Sequence, residues 1–213
     1  MISLVVAVLI VGALVGVLLS HHSAKGSKTT PTLATPAPSS TTSSSTTTTT
    51  QAPGPGFVAG KVTAVGDSVM VDYQQPLEEA IPGIIVDAAV SRQWSTGEQI
   101  LSGLKSDDQL GATVIVALST NGPISAADFD AMMSILSGAS RVVFINTHVD
   151  QPWQDPNNQV LAAGVAAHPN AVLVDWNALA SQHPEWFGSD GTHLAINGTG
   201  AQQLAQLIAS KAS

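Results

Sequence analysis

Five short runs of apolar, mostly β-branched residues recur between residues 57 and 213, and they constrain the fold more than any other feature of the sequence. Their hydrophobicity is nearly continuous, which is typical of strands buried on both faces of a parallel sheet. Segments with helical spacing of apolar residues separate them, so the sequence predicts a five-stranded, parallel, doubly wound α/β sheet. The predicted strands are Val62–Val65, Ile84–Ala88, Thr113–Leu118, Arg141–Asn146 and Val172–Trp176.

Three of the intervening segments predict helices. Ser125–Leu136 starts with a serine suited to cap a helix, and its apolar residues fall on one face. Asn158–Ala167 and Gly200–Ala209 have similar apolar spacing. In doubly wound sheets, sites form beyond the carboxyl ends of the strands. The residues that follow each run are therefore the first place to look for chemistry.

A serine follows the first predicted strand, in the tripeptide Gly66-Asp67-Ser68. At a strand-to-helix turn, the N–H groups and positive dipole end of the helix suit an oxyanion. The alternative is that Asp67 or Ser68 only caps the helix that follows. The tripeptide alone does not separate these two interpretations.

Two further motifs carry candidate residues: one lies near the end of the chain, before the last predicted helix, and the other follows the third predicted strand. In Asp190-Gly191-Thr192-His193, the carboxylate can reach the imidazole Nδ1 and leave Nε2 free to take a proton from a serine; the alternatives are a loop salt bridge or a metal pair. In Ser119-Thr120-Asn121-Gly122, the Asn121 amide can donate to an oxyanion, or Asn-Gly can simply form a turn.

The ordered set GDS, TNG and DxxH resembles the SGNH (GDSL-like) hydrolases over essentially all of residues 61–209. The resemblance implies their flavodoxin-like three-layer fold. Further matching pieces make the chain most similar to the extracytoplasmic SGNH domain of peptidoglycan and cell-surface polysaccharide O-acyltransferases. These pieces are Val90-Ser91-Arg92-Gln93, Pro152-Trp153 with Asn158 downstream, Asp175-Trp176 and Asp190–Leu194.

The resemblance implies a role for each matching residue. Ser68 would be the nucleophile, His193 the base and Asp190 the residue that orients it, with no metal or cofactor required. The oxyanion hole would combine the Ser68 N–H, the Asn121 side chain and a further N–H at Ser91. The family usually has glycine at the position of Ser91 and before Thr-Asn, where this chain has Ser119. Both departures bear on the shape of the hole.

Two other residues are candidates for binding substrate. Arg92 could hold a substrate carboxylate, such as a muramic acid lactyl group, or pair with an acidic neighbour in a structural role. Trp153 could stack on a sugar ring, as could Trp186, although packing is the more ordinary role for both. His148, His168 and His183 are not expected to be catalytic.

Residues 1–20 predict a single transmembrane helix. Ile2–Leu19 carries no charge, and at about 1.5 Å per residue it can cross a hydrocarbon core of about 30 Å. A cleaved signal peptide is the alternative, but no basic residue precedes the apolar run.

Residues 21–56 predict a disordered linker, since 18 of the 36 residues are serine or threonine and Leu33 is the one large aliphatic residue. Such stalks usually separate a membrane from an exposed domain. Residues 57–213 are therefore expected outside the cytoplasm, although Lys25 and Lys28 favour the opposite orientation.

The charge and the cysteine content exclude several classes of function. All 15 acidic residues lie in residues 57–213 with five basic residues, a formal charge of −10. Such a field does not favour binding of nucleic acid or anionic lipid. The sequence has no cysteine, which excludes disulfides, thiolate catalysis and cysteine-based metal sites.

The predicted function is a membrane-anchored O-acyltransferase, acetyl being the acyl group that the resemblance favours, acting on a cell-envelope polysaccharide through an acyl-serine intermediate. A multi-helix membrane acyltransferase, encoded upstream or as a separate partner, is the expected companion. Two alternatives stay open: a surface esterase that uses the same residues with water, and an inactive SGNH scaffold that binds envelope glycan.

Overall fold

The computed structural model of the protein describes residues 52–213, and its elements alternate between strand and helix along the chain. The strands are β1 Phe57–Gly66, β2 Ile85–Ala88, β3 Leu110–Ala117, β4 Arg141–Ile145 and β5 Ala171–Val174. The helices are α1 Ser68–Ala80, α2 Trp94–Ser106, α3 Ala126–Leu136, α4 Gln154–Ala167, α5 Trp176–Ala180 and α6 Thr199–Ala212, with a short 3-10 helix at Pro184–Trp186.

The strands form one sheet in the order β2-β1-β3-β4-β5, and every neighbouring pair is parallel. This confirms the predicted five-stranded parallel sheet. The chain moves to one side of β1 to form β2 and then crosses back to form β3 on the other side. The topological switch point therefore lies between the carboxyl ends of β1 and β3.

The strands differ from prediction in bounds and in burial: β3 starts at Leu110 rather than Thr113, and β5 ends at Val174 rather than Trp176, which is the first residue of α5. β1 starts at Phe57 rather than Val62. Gly60 before Val62 has φ +73°, and the pairing of β1 with β3 shifts register between Val58 and Val62. This irregularity hides the strand pattern. β2 lies at an edge of the sheet, and Ile85 is 49% exposed. Burial on both faces, which the sequence led us to expect of every strand, does not apply there.

The hydrophobic core lies in two layers, one on each side of the sheet. Along β3, Val114 and Val116 contact the layer formed with α2, α3 and α4, whereas Ile115 contacts the layer formed with α1 and α6. The predicted helix start at Ser125 is also confirmed. Ser125 Oγ accepts from the Asp128 backbone N–H, and the Asp128 carboxylate accepts in return from the Ser125 N–H.

The predicted transmembrane helix, residues 1–20, lies outside the described residues, as does the predicted linker up to Gln51. Over residues 52–213, no helix combines the length and the hydropathy that a membrane span needs. The last residues of the predicted linker are described and reach the domain, since the Gly54 N–H donates to the Gly138 carbonyl at 2.8 Å.

Candidate active site

The predicted site residues come together at the switch point of the sheet. Gly66 at the end of β1 is the register partner of Ala117 at the end of β3. The segments that follow these two residues therefore leave the sheet side by side. One of them begins α1 with Ser68, and the other is the loop that carries Asn121.

Ser68 is the first residue of α1, and Asp67 caps the helix. Asp67 Oδ1 accepts from the Val69 N–H at 3.0 Å, so the predicted cap exists while the Ser68 hydroxyl remains available to another partner. Ser68 is 7% exposed. Gly66 allows this tight turn, because a Cβ there would come within 2.5 Å of the Met70 side chain.

His193 contacts Ser68 on one side and Asp190 on the other. Its Nε2 lies 2.9 Å from Ser68 Oγ, and its Nδ1 lies 2.7 Å from Asp190 Oδ2. The second oxygen of Asp190 accepts from the backbone N–H groups of Thr192 and His193, both at 3.0 Å. The hydrogen bond from His193, followed by these two backbone bonds, lowers the pKa of Asp190 to about 2.

This chain of contacts has the parts that serine-based acyl transfer requires: a hydroxyl, a base within hydrogen-bond reach and an ionised carboxylate that orients the base. Gly191 adopts φ +64° in the turn between Asp190 and His193. That conformation favours glycine and lets the carboxylate fold back on the imidazole.

Asp72 holds the loop of His193 against α1, a role that sequence reasoning missed. Its carboxylate accepts from the Leu194 N–H at 3.0 Å, and its backbone carbonyl accepts from the Asn197 N–H at 3.2 Å. Ser68 and Asp72 are four residues apart, so they share one face of the helix. The four-residue spacing between Ser68 and Asp72 was the sequence signal that could have revealed this role. Burial raises the pKa of Asp72.

Asn157 holds the loop of Asn121 and was also missed. It is fully buried in α4, donates to the carbonyls of Ser119 and Gly122 at 2.9 and 2.8 Å, and accepts from the Ile124 N–H at 2.9 Å. The neighbouring Asn158, which the sequence had singled out, binds the N–H and carbonyl of Thr147 instead, both at 2.9 Å.

Ser91 and Asn121, the other two predicted oxyanion-hole residues, lie in adjacent loops. The Asn121 amide donates to the carbonyl of Arg92 at 3.3 Å, next to Ser91. Ser91 has φ +59°, the left-handed region in which the family's glycine is unstrained. Ser119, the second departure from the family pattern, is buried and has no such positive φ.

Asp67 connects the start of α1, which carries Ser68, to the loop that carries Asn121. It is 1% exposed, and besides capping α1 it accepts from the Thr120 N–H at 3.4 Å. Burial raises the pKa of Asp67 to about 6, although hydrogen bonds from Val69 and Thr120 act to lower it.

The predicted substrate-binding residues have structural contacts. The Arg92 side chain is 8% exposed; its guanidinium binds the Asp87 carboxylate at 2.6 Å, the Asp87 carbonyl, and the Gly66 carbonyl at 3.1 Å. It is therefore not free to hold a substrate carboxylate, and the structural alternative is the one observed.

The two tryptophans also have partners. Trp153 is partly exposed and lies at the site, where its indole N–H donates to the Thr120 carbonyl at 3.0 Å. Trp186 already stacks on two other rings, His183 at 3.8 Å and Trp176 at 6.0 Å between centroids. Stacking of a sugar on Trp186 would have to compete with these contacts.

In the described part of the chain, no group of three His, Cys, Asp or Glu side chains is arranged to hold a metal ion.

Comparison with known proteins identifies relatives over one segment of their length. The chain is 36% identical over 154 residues to the predicted peptidoglycan O-acetyltransferase YrhL of Bacillus subtilis (strain 168). This match covers 72% of this chain and 24% of YrhL. It is 32% identical over 156 residues to the peptidoglycan O-acetyltransferase OatA of Listeria monocytogenes serovar 1/2a, with 73% and 24% covered. The chain thus spans about a quarter of each relative.

Solved structures share the fold. The C-terminal catalytic domain of OatA from Streptococcus pneumoniae, solved with a methylsulfonyl adduct, superposes with a TM-score of 0.63 at 23% identity, covering 72% of this chain and 90% of that one. A lipase/acylhydrolase from Enterococcus faecalis gives 0.59 at 18% identity, covering 70% and 93%. No protein-family profile matches the sequence.

Proposed function

Because the described domain is an SGNH-type domain homologous to one segment of the peptidoglycan O-acetyltransferases, we propose that this chain transfers an acyl group to a hydroxyl of a cell-envelope polysaccharide. The acyl group is acetyl, as the names of the relatives suggest, and the reaction passes through an acyl-Ser68 intermediate. The observation that carries the proposal is the chain of contacts Ser68–His193–Asp190, at 2.9 and 2.7 Å.

In the first half-reaction, Ser68 Oγ attacks the acyl carbonyl of the donor ester while its proton moves to His193 Nε2. The carbonyl oxygen becomes an oxyanion, which accepts hydrogen bonds from the Ser68 N–H, the Asn121 amide and the Ser91 N–H. The tetrahedral intermediate then collapses. The C–O bond to the donor breaks, the departing alkoxide takes the proton from His193, and acyl-Ser68 remains.

The second half-reaction reverses these steps with a new alcohol. A polysaccharide hydroxyl gives its proton to His193 and attacks acyl-Ser68, and Ser68 Oγ recovers the proton as it leaves. Asp190 remains ionised throughout at neutral pH, because its pKa is lowered to about 2. It stabilises the imidazolium and fixes the tautomer that presents Nε2 to the serine.

Hydrolysis of acyl-Ser68 by water is the second candidate function. It is favoured by the exposure of the site, since the His193 side chain is 44% exposed. Transfer requires that the acceptor hydroxyl outcompete water for the same acyl-serine. The acceptor must therefore bind where it excludes water, near the loops of Asn121 and His193.

The full-length protein, given an acetyl ester with and without a saccharide acceptor, distinguishes these functions. Transfer predicts an acetylated saccharide whose yield rises with acceptor concentration at the expense of free acetate. If acceptor changes neither product, the transferase proposal is wrong and the esterase remains.

A fluorophosphonate that labels Ser68 tests both functions. Ser68→Ala is the negative control, and Ser134→Ala, exposed on α3, is the matched control. A folded protein that takes no label would support the inactive scaffold.

We also propose that residues 1–20 anchor the chain in the membrane and that the domain lies outside the cytoplasm. β1 runs about 30 Å from Phe57, where the predicted linker joins the domain, to the edge that bears Ser68. The site thus opens at the edge of the sheet opposite the linker. The resemblance to the cell-surface polysaccharide O-acyltransferases suggests that the acyl donor would come from a multi-helix membrane acyltransferase, encoded upstream or as a separate partner. Protease added to intact cells should degrade the domain. Full protection of the domain from protease in intact cells would contradict this orientation.

A further inference from the structure

Tyr73 presents a polar group that the proposed mechanism does not use. The side chain is 1% exposed in the layer beneath α1, and its hydroxyl is the one buried side-chain N or O atom in residues 52–213 with no hydrogen-bond partner. A buried hydroxyl left without a partner costs stability, and most such groups in proteins bind either protein or ordered water. We therefore expect the Tyr73 hydroxyl to have a hydrogen-bond partner.

Tyr73 lines a small cavity that Asp67, the cap of α1, also lines. The cavity has a volume of about 20 Å³ and is lined by Tyr73 and Asp67, by further polar residues that include Ser119, Asn146 and His148, and by apolar side chains. A space of this size holds about one water molecule when polar groups are available to bind it. Burial, followed by the charges of Asp67 and Asp72, raises the pKa of Tyr73. Tyr73 and Asp67 thus line a common space that fits one water.

Asp67 still has hydrogen-bonding capacity on that side. Its carboxylate accepts from the Val69 and Thr120 N–H groups, at 3.0 and 3.4 Å, and from the Thr120 side chain, and Asp67 is 1% exposed. A carboxylate has about four acceptor sites, so a further donor would reduce the cost of burying it. A water between the two side chains would accept from Tyr73 and donate to Asp67, and so satisfy both.

We propose that this cavity binds one structural water that links the Tyr73 hydroxyl to the Asp67 carboxylate, and that Tyr73 is thereby a positioning residue for the oxyanion hole. Asp67 ties the start of α1, with Ser68, to the loop that carries Asn121. The water would fix the carboxylate that joins these two segments. The positioning role rests on the proposed function, whereas the water site does not depend on it.

The charged neighbours define what a pH experiment would report. His193 faces Asp67 from the loop before α6 and lowers its pKa, Asp72 lies one turn along α1, and His148 lines the cavity from the end of β4. A hydrogen bond from water favours the ionised form of Asp67. Loss of that bond should therefore move the protonation of Asp67 to higher pH.

Tyr73→Phe tests the water site by the sign of its effect on stability. If the hydroxyl has no partner, its removal deletes an unsatisfied polar group and should leave the urea midpoint of unfolding unchanged or higher. If the hydroxyl binds the proposed water, the midpoint should fall. In an Asp67→Asn background, which retains an acceptor oxygen and a helix cap, the same change should have a smaller effect. A lowered midpoint with such coupling supports the site, and an unchanged or raised midpoint overturns it.

Two further measurements complete the test on the full-length protein. Tyr73 is the single tyrosine of the chain, so tyrosine-selective isotope labelling gives one hydroxyl signal, which should exchange slowly and show magnetisation transfer to a bound water. For the positioning role, Tyr73→Phe should lower kcat several-fold at constant KM and move the acid limb of the rate profile to higher pH. An unmoved profile in an active enzyme would overturn that role. If the wild type takes no fluorophosphonate label, the proposed function fails while the unfolding and exchange results still judge the water site.

Discussion

His193 Nε2 lies 2.9 Å from Ser68 Oγ, although 125 positions separate the two residues in the sequence. The contact depends on a second connection one turn along α1, where the Asp72 carboxylate binds the Leu194 N–H. One helix thus carries the proposed nucleophile and also holds the loop of its base. Any movement of α1 moves both partners together, which keeps the distance between them short.

Asp72→Ala should therefore impair catalysis more than it impairs binding. It leaves the buried Leu194 N–H without an acceptor, which costs about 1–3 kcal/mol, and it frees the loop that carries His193. We expect kcat for ester hydrolysis to fall at least tenfold, with little change in KM, because small misplacements of a catalytic group are costly. Asp72→Asn keeps an acceptor oxygen and should recover much of the rate. Equal loss in both variants would show that the charge, rather than the hydrogen bond, matters.

The central sheet and the three linked residues Ser68, His193 and Asp190 could be predicted from the sequence because their signals are local. A buried parallel strand is a continuous apolar run, and the rule that sites form at carboxyl ends directs attention to Ser68 after the first run. Asp190 and His193 do not directly follow a strand, and their roles were expected from the DxxH motif and its resemblance to the SGNH hydrolases. The start of β1 could not be predicted, because Gly60 and the register shift interrupt its pattern.

The roles of Asp72 and Asn157 were missed for a different reason, and for Asp72 the spacing from Ser68 was only a weak signal. Asp72 and Asn157 are polar residues in amphipathic helices, where such residues usually face solvent, and only the tertiary structure shows that each binds a loop backbone. Arg92 illustrates the converse. The sequence left open whether its guanidinium binds a substrate carboxylate or an acidic neighbour, and the structure shows it paired with Asp87, five residues earlier in the edge strand β2.

Asn157 should matter for the Asn121 loop specifically, and Asn158 provides a matched control. Asn157→Ala leaves the Ile124 N–H and two carbonyls unpaired, whereas Asn158→Ala frees the N–H and carbonyl of Thr147. Both should lose a few kcal/mol of stability. Only Asn157→Ala should also lower kcat by about 10- to 100-fold, since it releases a donor of the proposed oxyanion hole. Equal kcat values for the two folded variants, measured below their unfolding temperatures, would contradict this role.

Ser91→Gly should stabilise the protein. Ser91 has φ +59°, a conformation that costs a residue with a Cβ about 1 kcal/mol or more, while glycine adds about 0.5–1 kcal/mol of backbone entropy to the unfolded chain. We therefore expect a net gain of a few tenths of a kcal/mol, with hydrolytic activity retained because the backbone N–H remains. Ser91→Ala keeps the Cβ and should show no gain in a urea titration. A gain in Ser91→Ala as well would point to the hydroxyl instead of the backbone.

Asp67 should make the protein less stable as pH rises from about 4 to 6. Its pKa is raised to about 6 in the folded state by burial, against about 3.9 for an unfolded aspartate. Between these values the folded protein binds more protons than the unfolded chain, so its free energy of unfolding falls as pH rises. A shift of about two units corresponds to about 3 kcal/mol at most. Asp67→Asn cannot titrate and still caps α1, so the difference in stability between it and the wild type, measured by urea unfolding at intervals from pH 3.5 to 7.5, isolates this contribution from the other carboxylates. The wild type should lose stability relative to Asp67→Asn through that window and run parallel to it above pH 7. A constant difference across the window would mean that Asp67 keeps an ordinary pKa in the folded protein.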